Sequence, residues 1–355
     1  MPASSLPGLS QEDILRWLRE DDAERLEDLW RWADATRRRF VGDVVHLRGL
    51  IEISNYCSRE CAYCGLRAGN RDLERYRMTE DEIMECVRQA VRFRYGTVVL
   101  QSGEDYEIER DWLCSVIRRI KRDTRLAVTL SLGERPDDDL LAWREAGADR
   151  YLLRFETSDH ELYRLIHPAG PHRPGSDRIA ILRVLRSFGY EVGSGVMIGI
   201  PGQSYASLAA DIELFRELDL DMIGVGPYIG HPATPLGHGT NPQEQVPNSE
   251  QMTYKVVALA RLACPEANIP STTALATLNR ATGRELGLQR GANVVMPNLT
   301  PVQYRVKYEI YPAKVCIEET ADQCHMCMRA RISGLGRDIG AGPGARVRGS
   351  HSRGT

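Results

Sequence analysis

Apolar, β-branched runs recur along the chain at 45–54, 97–102, 126–132, 150–155, 192–200, 222–229, 268–275 and 292–297, giving eight candidate strands. Between them lie helical stretches with recognisable start signals. Thr79 and Glu82 form a capping box that opens a helix to about residue 94, and Ser249 leads into a helix over 252–263. Gly96, Gly147, Gly189 and Gly291 each follow a helical pattern and precede a strand, as helix stops do. Strands alternating with helices predict parallel βαβ units. Eight of them match an α/β fold of the closed (β/α)8 TIM-barrel type, with a doubly wound open sheet as the alternative that shows the same alternation. The barrel is assigned to 45–312. Before it, 1–44 predict a helical extension of two helices, 10–20 and 22–38, packed outside the barrel. After it come a cysteine-containing extension, 313–340, and a tail rich in Gly, Arg and Ser, 341–355, read as disordered.

With 355 residues, 42% hydrophobic and 27% charged, the composition is that of an ordinary globular protein. The most apolar run, 192–201, is about half of the roughly 20 residues a membrane-spanning helix needs. The first twenty residues carry charges where a signal peptide has its apolar centre. The expected location is therefore cytoplasmic, without membrane attachment. A net charge of −3 supplies no field that would gather nucleic acid, and Arg37-Arg38-Arg39 reads as the solvated end of a helix. Nine cysteines, an odd count without a leader, point to metal or redox chemistry rather than disulfides.

Cys57, Cys61 and Cys64 follow the first strand directly, in the string Cys-Ser-Arg-Glu-Cys-Ala-Tyr-Cys. A structural zinc site is normally closed by four protein ligands, and a protein-only Fe–S cubane also takes four. Three thiolates leave one coordination position open, which is where chemistry would occur, although a zinc knuckle is the plainer reading. In a barrel, chemistry belongs at the C-terminal ends of the strands. The polar exceptions fall there: Ser102-Gly103-Glu104-Asp105, Ser131-Leu132-Gly133-Glu134, Arg154-Phe155-Glu156-Thr157 and Gly199-Ile200-Pro201-Gly202-Gln203.

The C-x3-C-x2-C spacing, with an aromatic residue before the last cysteine, resembles the signature of the radical S-adenosylmethionine (SAM) superfamily. The order of elements is similar over nearly all of 45–300. The resemblance implies a 4Fe-4S cluster on Cys57, Cys61 and Cys64 that binds SAM through its fourth iron. It implies further that Gly103 and Glu104 meet the methionine amino group, that Glu156 holds the ribose hydroxyls and that Arg178 pairs with the methionine carboxylate. Tyr63 would cover the cluster and adenine, and the turn containing Gly199 and Pro201 would face the adenine edge. These pairings make chemical sense: an ammonium wants acceptors, a diol a carboxylate, and a carboxylate a guanidinium fork.

Longer strings resemble the HydE family of FeFe-hydrogenase maturases over about 50–330. They include Tyr63-Cys64-Gly65-Leu66-Arg67, Leu100-Gln101-Ser102-Gly103-Glu104-Asp105, Asn268-Ile269-Pro270-Ser271-Thr272-Thr273-Ala274 and Ala292-Asn293-Val294-Val295-Met296-Pro297-Asn298. This resemblance implies a step in building the diiron subcluster of the hydrogenase. The substrate would be a small organometallic iron–CO–CN–cysteine precursor or an amino-acid-derived compound. A substrate- and anion-facing pocket would comprise Ser131, Arg154, Thr272, Thr273, Met296 and Tyr308, Ser131 being grouped with the cofactor contacts as well. Arg154 is expected to be the one basic residue inside the lumen at strand depth. One position departs from the family form: Phe155 replaces a histidine, which leaves Arg154 and Glu156 in place.

A second trio, Cys316, Cys324 and Cys327, has C-x7-C-x2-C spacing at a position where some family members carry an accessory Fe–S cluster, 2Fe-2S or 4Fe-4S. A zinc site or free thiols remain alternatives, with His325 between the last two cysteines read equally as a ligand or as a surface residue. Cys86, Cys114 and Cys264 read as buried small hydrophobes. The implied partners are an electron donor such as ferredoxin or flavodoxin and the other hydrogenase maturases. The competing functions are a sister enzyme such as methylornithine synthase or biotin synthase, or a non-catalytic Fe–S carrier or zinc scaffold.

Overall fold

In the computed structural model, which describes residues 9–169, 176–238 and 245–348, seven parallel strands form one curved sheet. In chain order the strands are β1 (His46–Ser54), β2 (Thr97–Ser102), β3 (Ala127–Ser131), β4 (Arg150–Leu152), β5 (Glu191–Ser194), β6 (Met197–Ile198), β7 (Met222–Ile223), β8 (Gly226–Pro227) and β9 (Val294–Val295). The sheet order is β7-β5-β4-β3-β2-β1-β9, and β6 pairs with β8 as a short parallel extension above it. The two edges are joined through residues 268–270, where Asn268 bridges Met222 and Pro270 bridges Val294, both parallel. The eight sequence-predicted strands are thus the eight staves of a TIM-type ring. Their regular pairing ends earlier than the apolar runs do, because the backbone splays at the C-terminal ends to build loops.

Side-chain alternation along β1 separates two interiors. Leu47, Ile51 and Ile53 join the core under the helices, while Arg48, Leu50 and Glu52 point into the lumen. Arg48 and Lys314 therefore share the lumen with Arg154, and Arg154 is not the lone lumen cation expected from the sequence. Arg48 and Glu52 stand four apart in an otherwise apolar run, on the face of β1 turned to the lumen.

Helix signals are realised locally. The helix Glu80–Arg92 carries the reciprocal Thr79–Glu82 box, and Ser249 caps Glu250–Ala263 through the Met252 amide at 3.2 Å. Gly147, Gly189 and Gly291 stop their helices with φ of 114°, 83° and 118°. Gly96 does not: Arg94 takes the left-handed turn at φ 58°. A Cβ on Gly96 would stand 1.6 Å from the Gly342 carbonyl oxygen, so this glycine is required by packing.

Helices Gln11–Leu18 and Ala23–Val41 pack outside the barrel against Tyr205–Glu217 and Glu250–Ala263. Arg37 is buried rather than solvated, donating to the Gly42 carbonyl at 2.7 Å and to Asp43 at 2.9 Å, while Arg38 and Arg39 stay exposed. At the other end of the chain, residues 341–348 form a strap across the floor of the barrel in place of a disordered tail. The Pro343 carbonyl accepts from Thr97 Oγ1 at 3.0 Å and Arg150 Nη2 at 3.2 Å. The Gly344 carbonyl accepts from Arg48 Nη2 at 3.0 Å and Asn268 Nδ2 at 3.1 Å. Glycine richness here permits close passage over Gly96 and His46. The rest of the predicted tail, 349–355, lies outside the described residues. Among the described residues no helix is long and apolar enough to cross a membrane.

Candidate active site

The cysteine loop leaves the top of β1 and is fixed by backbone hydrogen bonds. Ser58 N–H donates to the Glu104 carbonyl at 2.9 Å, Ala62 N–H to Ile166 at 2.9 Å and Gly65 N–H to Ile310 at 3.0 Å. Gly103 lets the second loop press against it: a Cβ there would fall 2.2 Å from the Tyr56 carbonyl oxygen and 2.9 Å from Cys57 Cβ. Cys57, Cys61 and Cys64 all line the mouth of a cavity of about 290 Å³. The Arg59 and Glu104 amides face Cys57 Sγ at 3.5 and 3.4 Å. Burial raises all three thiols, Cys64 to about 12, so iron binding here would have to displace protons. Among the described residues no three Cys, His, Asp or Glu side chains converge as they would on a single ion. In a cubane each thiolate takes its own iron, so convergence is not required. The donor set, three thiols and no fourth, fits a 4Fe-4S cluster with one open iron.

Beside the cysteines, two carboxylates and two guanidiniums alternate. Arg59 Nε donates to Glu104 Oε1 at 2.7 Å and Arg59 Nη2 to Glu134 Oε2 at 2.5 Å. Arg178 Nε donates to Glu134 Oε1 at 2.8 Å and Nη1 to the Arg154 carbonyl at 2.8 Å. The Glu134 amide returns to Glu104 Oε2 at 3.0 Å. This quartet is balanced in charge and suits the zwitterionic end of an amino-acid ligand. Burial alone would weaken the Arg178 cation, but the surrounding acidic groups, with Tyr63, Tyr163 and Glu134 foremost, raise its pKa well above the usual value.

Glu156, beyond β4, adopts φ 66°. Its Oε2 lies 2.9 Å from Arg154 Nη2, and Tyr63 OH is 3.5 Å from Oε1. Glu156 Oε2 and Arg154 Nε and Nη2 are buried without a well-directed hydrogen bond. Tyr63 is further held by His167 Nε2 at 3.1 Å. Buried polar atoms left open toward a cavity are what a polar ligand with a diol would satisfy.

Below this cavity lies a second chamber of about 160 Å³ that shares Gln101, Arg154, Thr272 and Tyr311 with it. Thr273 and Met296 line only the lower chamber, Ser131 and Tyr308 only the upper, and Thr272 both. Tyr308 OH accepts from Gln101 Nε2 at 3.2 Å. Lys314 Nζ reaches Glu52 Oε1 at 2.5 Å and the Tyr308 carbonyl at 3.2 Å. Arg48 Nε and Thr129 Oγ1 are further buried donors without partners. Gly199 and Pro201 are not among the wall residues. Gly199 instead packs against Asn248, where a Cβ would fall 2.3 Å from the Asn248 nitrogen, and its amide donates to Gln203 Oε1 at 2.7 Å. Sequence reasoning missed Arg59, Arg48, Tyr311 and Lys314. Arg59 stood in plain view inside the cysteine motif, whereas Lys314 has no periodic context to mark it.

The second trio gathers near a pocket of about 420 Å³ lined by Cys316, Cys327, Arg280, Arg284, Lys314 and Arg331. Cys324 and Cys327 sit three apart on the helix Ala321–Gly334, the first buried and the second exposed. Cys316, at φ 63°, has its thiol lowered to about 6 by a hydrogen bond with Cys324 and, more weakly, by Arg284, while Cys324 is raised by the same contact. His325 is not a surface residue. It stacks on Phe93 with centroids 4.3 Å apart, and its Nδ1 meets Tyr95 OH at 3.0 Å. Cys86, Cys114 and Cys264 are free and buried in the core.

Comparison with known proteins gives first the class. The model of the radical SAM superfamily matches residues 51–215. The chain is then 45% identical over 322 residues to the [FeFe] hydrogenase maturase subunit HydE of Thermotoga maritima, covering 91% of this chain and 89% of the relative. It is 29% identical to 3-methylornithine synthase of Methanosarcina acetivorans, covering 81% of this chain and 79% of that one. The crystal structure of methylornithine synthase PylB superimposes with a TM-score of 0.80 at 26% identity, covering 94% of this chain and 95% of that one. The chain belongs to the radical SAM superfamily and, within it, to the HydE family of [FeFe] hydrogenase maturases.

Proposed function

We propose that this chain is a radical SAM enzyme of [FeFe]-hydrogenase maturation, acting on a small organometallic iron–CO–CN–cysteine precursor held in the barrel lumen. One observation carries the reading. Directly beneath the three-cysteine mouth lies a chamber whose buried polar atoms without a hydrogen-bond partner include Arg48 Nε, Arg154 Nε and Thr129 Oγ1. Such a lining suits a compact ligand presenting cyanide, carbonyl and carboxylate acceptors. Cys57, Cys61 and Cys64 would hold the cluster, and SAM reduced through it supplies 5'-deoxyadenosyl radical chemistry. The chain's own residues position and exclude. The Arg59–Glu104–Glu134–Arg178 quartet receives the methionine end, Glu156 the ribose, and Tyr63 covers the mouth. Leu50, Val99, Leu152 and Val294 keep the lower chamber apolar between its polar points. Fixed dipoles and charges in such a water-poor space act more strongly than they would in water.

Support for a second cluster on Cys316, Cys324 and Cys327 comes from Cys316 and Cys327 lining one pocket, with Cys324 beside Cys316 in the gap behind it. An electron donor such as ferredoxin or flavodoxin and the companion maturases complete the proposed set of partners. A maturation assay in which the other maturases and apo-hydrogenase are supplied tests the function. Wild-type chain is expected to be required for active hydrogenase. Arg154→Lys, which lacks the planar fork for two-point contact, is expected to load its cluster yet fail to support assembly. Active hydrogenase without this chain would overturn the maturase reading, and the methylornithine-synthase alternative would then be tried with lysine, SAM and a reductant.

A further inference from the structure

Each of the buried arginines Arg48, Arg150, Arg261, Arg305 and Arg337 has at least one oxygen acceptor or carboxylate partner. Arg261 donates to the Gly291, Pro265 and Ala267 carbonyls at 2.7–2.8 Å. Arg305 reaches the carbonyls of Asn298 and Thr300 at 2.8–3.1 Å and of Cys316 at 3.1 Å. Arg337 meets Asp43, Val44 and Leu288 carbonyls, and Arg150 pairs with Glu191. Arg48 has the Gly344 carbonyl. Arg284 differs. It is only 6% exposed, and the contact the described residues offer its guanidinium is Cys316 Sγ at 4.0 Å. With no carboxylate paired to it among the described residues, the group its charge faces is the sulfur.

The surroundings agree. Arg284, on the helix Gly283–Gln289, lines both the 420 Å³ pocket with Cys316 and Cys327 and the narrow gap behind it with Cys316 and Cys324. Cys316 is held in the left-handed region at φ 63°, a conformation a cysteine adopts only when its surroundings impose it. Arg305 grips the Cys316 carbonyl from the other side. Two arginines on different elements thus hold Cys316, Arg305 through the backbone carbonyl and Arg284 through its charge beside the sulfur.

We infer that Arg284 is a positioning residue for the second iron–sulfur site, the cation that holds the Cys316 thiolate and sets the reduction potential of the cluster on Cys316, Cys324 and Cys327. The inference rests on the proposed second cluster. Reduction adds an electron and no proton to the cluster, so a fixed positive charge beside it favours the reduced form and raises the potential. The test uses full-length protein reconstituted anaerobically with iron and sulfide, comparing wild type, Arg284→Gln, Arg284→Lys and the Cys316→Ser/Cys324→Ser/Cys327→Ser triple variant. Electron paramagnetic resonance is followed during potentiometric titration, and the SAM-responsive signal is set aside as that of the first cluster. The second signal, absent from the triple variant, is expected at lower potential in Arg284→Gln by about a tenfold change in its redox equilibrium, 59 mV for one electron. Arg284→Lys is expected to recover most of that shift. If Arg284→Gln fails to retain the second cluster, retention in Arg284→Lys alone supports the charge role. Equal potentials in wild type and Arg284→Gln overturn it, as does loss of the cluster from both variants. Equal iron content in wild type and the triple variant overturns the second cluster itself, and with it this role.

Discussion

Glu156 concentrates two costs in one residue, a left-handed backbone at φ 66° and a buried carboxylate oxygen without a well-directed partner. Strain of this kind amounts to about 1–3 kcal/mol, and here it aims the side chain from the end of β4 at the cavity. Glu156→Ala is expected to lower SAM affinity roughly ten- to a hundredfold by calorimetry, the equivalent of one hydrogen bond to a charged group at ~1.5–3 kcal/mol. The cluster signal should remain. Glu156→Gly gives the complementary outcome, equally poor SAM binding with thermal stability at or above wild type, because glycine carries no penalty at this φ. The following turn is clamped by Asp211, which accepts from Ser158 N and Oγ, both at 2.6 Å. Burial raises the Asp211 carboxyl from 3.8 to about 7 against the lowering effect of those hydrogen bonds. A carboxyl raised on folding stabilises the protein in its protonated form. That contribution is complete below pH ~4 and lost as pH rises through about 7. The Tm of wild type is therefore expected to gain on that of Asp211→Asn as pH falls from 8 to 5, and parallel profiles would refute the assignment. Glu156 was legible in the sequence as a polar exception at a strand end, and Arg178 through the resemblance to the radical SAM superfamily. Asp211, inside an unremarkable helix, was not.

At the scale of elements, start and stop signals were legible wherever they act locally, as in the Thr79–Glu82 box and the positive φ of Gly147. The C-terminal strap was not, because its order comes from long-range acceptors: buried Arg48, Arg150 and Asn268 all take their carbonyls from 343–344. Composition alone reports such a segment as tail. Gly96→Ala would drive a methyl group into the Gly342 carbonyl, 1.6 Å from the ideal Cβ position, and lift the strap from these donors. The expected result is a Tm lower by several degrees, each charged-group hydrogen bond lost costing ~1.5–3 kcal/mol. The second cysteine trio forms a separate element. Replacing Cys316, Cys324 and Cys327 together by Ser is expected to lower iron content while reductive SAM cleavage continues, and lost cleavage would show the two sites to be coupled.

Over the whole molecule, eight staves and the first cysteine trio followed from pattern and spacing, whereas the lumen's inventory of charge did not. Arg48 and Glu52 lie inside an apolar run, and Lys314 arrives from outside the barrel, so only the folded ring shows them facing one another. Replacing any of Cys57, Cys61 or Cys64 by Ala is expected to abolish the SAM-sensitive paramagnetic signal, while stoichiometric zinc without such a signal would refute the radical reading. The ring is also unevenly sewn. Six residue pairs join β1 to β2, whereas the seventh stave in chain order is held by one bridge on each side, at Asn268 and at Pro270, where the Asn268 and Ser271 amides donate to the Asp221 and Val294 carbonyls. The barrel thus closes along a thinly paired seam, and amide exchange along 268–271 should outpace that of β1 and β2. Thr272, Thr273 and Met296 line the chamber beside that seam, so the most thinly paired wall is the wall against which the substrate would rest.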